Sequence, residues 1–142
     1  MIKELTNCER DEEGKPVPTA RQKALQEYFA DMAYQFPEGW FKGEDVYLAM
    51  QMRGFDYGNP KTAYKKINED VRFLNVCGLY TRMVIGDRTR GYKLATREEF
   101  LDWCKRQRDE AVGKLNLLSY MMASARLDDQ ERLAIQGGAG EQ

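Results

Sequence analysis

The sequence predicts a mainly α protein carrying one small antiparallel β element: three helices, a hairpin, then a long C-terminal helix. Three observations lead there. After Asn59-Pro60, the residues Ala63, Ile67, Val71, Leu74 and Val76 recur at intervals of two to four, which makes one helical face apolar. After Gly78 the period changes to two through Tyr80, Arg82, Val84 and Gly86, and Gly91 to Ala95 reads as the returning strand. From Thr96 onward, apolar positions at alternating spacings of three and four continue to about residue 126.

The elements follow in order. Residues 1–18 are polar, with Glu9, Asp11, Glu12 and Glu13 followed by Gly14, Pro16 and Pro18, and are expected to form a flexible acidic arm. Thr19 with Gln22 makes a capping box, and Ala24, Leu25, Tyr28, Phe29, Met32 and Ala33 give the first helix a broad apolar stripe that ends before Pro37. Trp40-Phe41-Lys42 is a candidate short strand, broken by Gly43. Val46, Tyr47, Leu48 and Met50 begin the second helix, which runs into Arg53-Gly54. Two roles are open to Phe55 and Tyr57 in the next linker: plugging the gap between helices two and three, or stacking on a target. Asn59 caps the third helix and Pro60 occupies its first position, where a missing N–H costs nothing. The expected core is Leu25, Phe29, Met32, Val46, Met50, Ile67, Val71, Leu74, Leu79, Val84, Tyr92 and Leu94.

A second capping box, Thr96 with Glu99, opens the last helix. Its positions Leu101, Cys104, Arg108, Ala111, Leu115, Leu118, Met122 and Ala125 trace a heptad seam, widened by Phe100, Trp103, Leu117 and Met121. A helix of thirty residues is about 45 Å long, more than a domain of this size covers on one side. The expectation is a homodimer through Ala111, Leu115, Leu118, Met121, Met122 and Ala125; the alternative is a break at Gly113 that folds the helix back over Trp103. The organisation is then an arm at 1–18, a domain at 19–96, a long helix at 97–127 and a disordered tail at 128–142, where Gly137, Gly138 and Gly140 cluster.

The formal net charge is only -1, but it is unevenly spread. Residues 1–59 hold seven Lys/Arg against eleven Asp/Glu, residues 60–108 twelve against six, and residues 109–142 three against six. Positive potential therefore concentrates on the third helix and hairpin, as an electrostatic footprint would. Cys8, Cys77 and Cys104 are odd in number and widely spaced, and there is no histidine, which argues against a disulfide framework or a zinc site. No signal region opens the chain and no apolar run reaches about 20 residues, so a cytoplasmic protein without a membrane span is expected. Catalysis is not expected either. The chain has no phosphate-cradling G-x-x-x-x-G-K-[ST] loop and no H-E-x-x-H pair, and Glu98, Glu99 and Asp102 sit at a helix start where capping explains them. No metal or other cofactor is implied.

The order helix, short strand, helix, helix, hairpin resembles the winged helix-turn-helix class. The hairpin closing in Gly91-Tyr92-Lys93-Leu94-Ala95-Thr96, followed by Glu98-Glu99 and a long helix with Arg106, Arg108 and Leu115, is similar to small winged-helix proteins of bacteriophages and prophages. The resemblance covers about residues 19 to 125. It implies a third helix in the DNA major groove and a wing on the backbone or minor groove, hence a phage-type regulator of transcription or replication. Carried onto this chain, it implies Lys61, Thr62, Tyr64, Lys65, Asn68 and Arg72 on the helix and Arg82, Arg88, Thr89 and Arg90 on the wing.

Residue chemistry sharpens those roles. Lys61 adds charge to a helix N-terminus that presents N–H groups to phosphate. Thr62, Lys65 and Asn68 are three apart and can share a face toward base edges, with Asn68 suited to a bidentate adenine pair. Arg88 and Arg90 suit a narrow, electronegative minor groove. Double-stranded DNA is the expected partner; the alternative is a host protein (polymerase, nuclease or defence complex) with an acidic surface.

Overall fold

A computed structural model of the chain describes residues 6–77 and 82–138, with side chains through 126. Its elements are α1 (Ala20–Gln35), α2 (Gly43–Met52), α3 (Pro60–Val76), β1 (Val84–Asp87), β2 (Gly91–Leu94) and α4 (Arg97–Gly138). Two compact units divide the chain, Met1–Leu101 and Asp102–Gln142. In the first, the order of three helices and an antiparallel hairpin is consistent with a winged helix-turn-helix.

Local chemistry accounts for the helix starts. Thr19 Oγ1 accepts from Gln22 N at 3.1 Å while Gln22 Oε1 accepts from Thr19 N at 2.9 Å, so two end donors are satisfied reciprocally. Asn59 Oδ1 accepts from Lys61 N at 3.0 Å, with Pro60 at the first helical position. α2 begins at Gly43 itself, and its first turn carries Glu44 and Asp45, the charges that an N-terminal dipole favours.

The hairpin pairs Val84 with Leu94, Gly86 with Tyr92 and Asp87 with Gly91. Asp87 Oδ1 closes the turn, accepting from Thr89 N at 2.8 Å and Arg90 N at 3.0 Å, and Gly91 completes it at φ +99°. The strand expected at Trp40–Lys42 is reduced to one bridge: Phe41 N donates to Tyr92 O at 2.8 Å and Tyr92 N to Phe41 O at 2.7 Å. Gly91 permits that approach, since a Cβ there would lie 2.2 Å from Phe41 O. β1 starts at Val84; Tyr80, where the strand was expected to begin, and the expected core residue Leu79 lie outside the described residues.

The core gathers Leu25, Tyr28 and Phe29 from α1, Val46 and Met50 from α2, Ala63, Ile67, Val71 and Leu74 from α3, and Val84 from β1. Met32, Tyr92 and Leu94 pack on it half-buried, and Tyr57 fills it at 1% exposure, so this linker aromatic plugs the domain rather than facing a target. Phe73, Ile85 and Ala95 are also buried.

Two charges are buried with them. Asp70 on α3 accepts from Arg21 Nε at 2.8 Å, Arg21 Nη2 at 3.1 Å, Gln22 Nε2 at 3.2 Å and the Tyr57 hydroxyl at 2.7 Å. Burial, reinforced by the Asp70 carboxylate, pushes the Tyr57 phenol far above its ordinary range and keeps it a donor. Lys93 on β2 is the second, its Nζ 2.6 Å from Glu99 Oε2 and 3.5 Å from Glu38 Oε2. The other Glu99 oxygen accepts from Thr96 N at 3.0 Å, while Glu99 N donates to Thr96 Oγ1 at 3.2 Å.

Lys93, with the Thr96 backbone behind it, holds the Glu99 carboxyl below the usual glutamate value of 4.5. A carboxyl with a depressed folded pKa contributes stability above the unfolded value and loses it as pH falls through the folded one. Glu99→Gln is therefore expected to unfold at lower urea than the parent at pH 7. The two should converge as pH is lowered through the region below 4.5. Urea titrations at pH 7 and pH 3.5 check this.

Both terminal segments carry local structure of their own. Where a flexible arm is predicted, Val17 N donates to Glu9 O at 2.8 Å, Asp11 N to Lys15 O at 2.9 Å, and Asp11 Oδ1 accepts from Lys15 N at 2.8 Å. Asp11 and the positive-φ Gly14 build a tight loop, and Pro18 behind it is buried. At the other end, α4 continues beyond 127, through the segment assigned to the tail, to Gly138. Residues 127–135 contain neither glycine nor proline, so nothing local stops the helix before Gly137-Gly138. α4 also passes unbroken through Gly113, which removes the fold-back at that residue.

Candidate nucleic-acid interface

α3 sets the interface through its period. With Ala63, Ile67, Asp70 and Leu74 turned inward, Lys61, Lys65, Asn68 and Arg72 at i, i+4, i+7 and i+11 fall along one outward line, and all four are exposed. Asp70, an acid on this basic helix, is 3% exposed and enclosed by Arg21, Gln22 and Tyr57. Glu69 sits on the flank, half-buried. Thr62 is turned about a quarter circle from Lys61 toward that same flank. Its hydroxyl donates to Asn59 O at 3.2 Å, so it supports the helix start while remaining exposed.

The hairpin is fastened to α3 on the opposite flank. Asn75 Nδ2 donates to Val84 O at 2.8 Å and Asn75 Oδ1 accepts from Val84 N at 2.9 Å, a two-point clasp on the first residue of β1. Further up, the Tyr92 hydroxyl donates to Asn68 Oδ1. Tyr92 is seated by Phe29, ring to ring at 6.0 Å, and burial raises its phenol so that it keeps its proton. An open groove of about 350 Å³ is lined by Lys42, Glu44, Tyr64, Arg88 and Thr89. Tyr64 lies against α2 because Gly43 leaves room: a Cβ there would be 3.0 Å from the ring.

The wing residues separate into different roles. Arg82 donates from Nε to Ala95 O at 3.0 Å and from Nη2 to Leu94 O at 2.9 Å, spanning the base of the hairpin. Arg90 lies 4.2 Å over the Trp40 ring and 3.3 Å from Asp87 Oδ2, a pose that anchors the tip instead of reaching out of it. Arg88 and Thr89 are exposed at the tip and line the groove. The structure therefore brings together Lys61, Tyr64, Lys65, Asn68, Arg72, Arg88 and Thr89, and sets Arg82 and Arg90 into the framework that positions them. Sequence reasoning missed Trp40, Lys42 and Asn75.

In the second unit, the six residues expected at a dimer seam, Ala111, Leu115, Leu118, Met121, Met122 and Ala125, are all exposed on α4. Among the described residues no group of three or more His, Cys, Asp or Glu side chains is placed to hold a metal ion, and no helix is long and apolar enough to cross a membrane. Comparison of the chain with protein-family models, curated proteins and solved structures finds no match.

Proposed function

We propose that the chain binds double-stranded DNA, with α3 in the major groove and the tip of the hairpin on the adjoining backbone. The observation that carries this is the exposed line Lys61, Lys65, Asn68 and Arg72, with the hairpin clasped beside it by Asn75 and Tyr92. A helix about 10–12 Å across fits a major groove about 12 Å wide. Lys61, Lys65, Arg72 and Arg88 supply backbone contacts. Asn68 faces base edges, Thr62 and Tyr64 its two margins. The pattern resemblance supports a role as a phage-type regulator of transcription or replication. The test is to capture tagged protein from host extract with and without nuclease. Discrete enriched DNA sites support the reading; a nuclease-resistant host protein, together with no DNA affinity at low salt, overturns it in favour of a protein partner.

The reading includes a homodimer through α4. Leu115, Leu118, Met121 and Met122 are each exposed by more than half, which is unusual for side chains that water disfavours. Sedimentation of the parent and of Leu118→Asp is expected to give a dimer and a monomer respectively. A monomer in both samples rules the dimer out.

A further inference from the structure

The contact between Tyr92 and Asn68 fixes more than the hairpin. An amide side chain is planar, with its oxygen and nitrogen on opposite sides of the same carbon. Tyr92 stands on the hairpin flank of α3, and its hydroxyl donates to Asn68 Oδ1. With Oδ1 turned toward Tyr92, planarity puts Nδ2 on the side of the amide away from it, and Asn68 itself is exposed. Asn68 then offers two N–H donors on that side, with its acceptor oxygen turned toward Tyr92.

That orientation changes what the residue can read. An adenine edge needs an acceptor for its N6 amino group as well as a donor for N7, whereas a guanine edge presents two acceptors, N7 and O6. We propose that Tyr92 is a specificity-positioning residue: by engaging Asn68 Oδ1 it makes the amide a donor-only reader, which selects guanine over the adenine that a free asparagine would take. The inference rests on the DNA-binding reading above and adds the base class to it.

Tyr92 is suited to this because its position does not depend on the hydroxyl alone. Its ring packs on Phe29, its backbone exchanges two hydrogen bonds with Phe41, and its partner across the hairpin is Gly86. Tyr92→Phe removes the hydrogen bond and leaves those contacts in place. Asn68 can then rotate and recover its acceptor.

The experiment is selection from a randomised DNA pool with the full chain, its Tyr92→Phe and Asn68→Ala variants, and Asn68→Asp as a second check. Asn68→Ala locates the base, as the position where preference flattens. At that position the parent is expected to prefer guanine. Tyr92→Phe is expected to move the guanine-to-adenine ratio toward adenine by roughly five-fold, the worth of one net hydrogen bond. Asn68→Asp, which has acceptors only, is expected to lose guanine and gain cytosine, whose N4 is a donor. A purely structural Tyr92 would weaken all sequences alike and leave the base ratio unmoved. Enriched sites with the same base ratio in the parent and Tyr92→Phe overturn this inference alone, as does adenine preference in the parent. No enriched site for the parent overturns the DNA reading and this inference with it.

Discussion

Replacing Asp70 by alanine is expected to lower stability by about 3–5 kcal/mol, since it removes hydrogen bonds to a charged group, worth about 1.5–3 kcal/mol each, and leaves the buried Tyr57 hydroxyl without an acceptor. Four hydrogen bonds converge on this carboxylate, from Arg21 and Gln22 on α1 and from Tyr57 in the linker before α3. Arg21 is 37% exposed at its side chain and can turn to water. Tyr57 cannot, and its hydroxyl would be left buried without an acceptor. Arg21 also lies 4.6 Å over the Tyr57 ring, so the charge pair and the aromatic plug form one unit. Asp70→Asn keeps an acceptor for Tyr57 and loses the charge; it should cost less, about 1.5–3 kcal/mol, the worth of hydrogen bonds to charged groups. Urea unfolding of both variants reads these values, and an alanine variant within about 0.5 kcal/mol of the parent, the scatter of ordinary surface changes, would show that the network does not hold α1, the linker and α3 together.

Gly91→Ala carries the second large effect, through two causes acting at one residue. A side chain at φ +99° is strained by about 1–2 kcal/mol. The added Cβ would also meet Phe41 O at 2.2 Å, so the bridge must open, with the loss of two backbone hydrogen bonds worth about 1 kcal/mol each. A total of about 3–4 kcal/mol is expected. It falls on the hairpin: helical circular dichroism should persist while DNA affinity drops at least about ten-fold, equal to 1.4 kcal/mol of lost positioning. Gly86→Ala is the control, since a Cβ there reaches the Tyr92 ring only at 4.0 Å. Equal affinity in Gly91→Ala and the parent would mean that the hairpin's placement does not matter to binding.

What the sequence made legible is what short-range chemistry decides. The capping residues Thr19, Asn59 and Thr96, the inward period of Ile67, Val71 and Leu74, and the turn at Asp87 and Gly91 involve neighbours within a few residues. What it hid depends on pairs brought together by folding. Asp70 meets Arg21 across 49 positions and Asn68 meets Tyr92 across 24, so neither partnership is visible along the chain. The carbonyl partners of Arg82 and the Trp40 partner of Arg90 are hidden for the same reason. Phe55 and Tyr57 plug the gap, a role that an aromatic in a linker shares with target stacking until the gap between helices has a shape.

The measurement that tests DNA binding most directly is the salt dependence of affinity for duplex DNA. Fluorescence anisotropy from 50 to 200 mM salt should give log Kd rising linearly with log salt, with a slope of roughly 0.9 per phosphate neutralised. Replacing Lys61, Lys65 and Arg88 together by alanine is expected to lower that slope by about 2–3, whereas Arg90→Ala, which removes a side chain held by Trp40 and Asp87, should lower it by less than about one contact's worth. No binding at the lowest salt, or a slope unchanged by the triple replacement, would contradict the account.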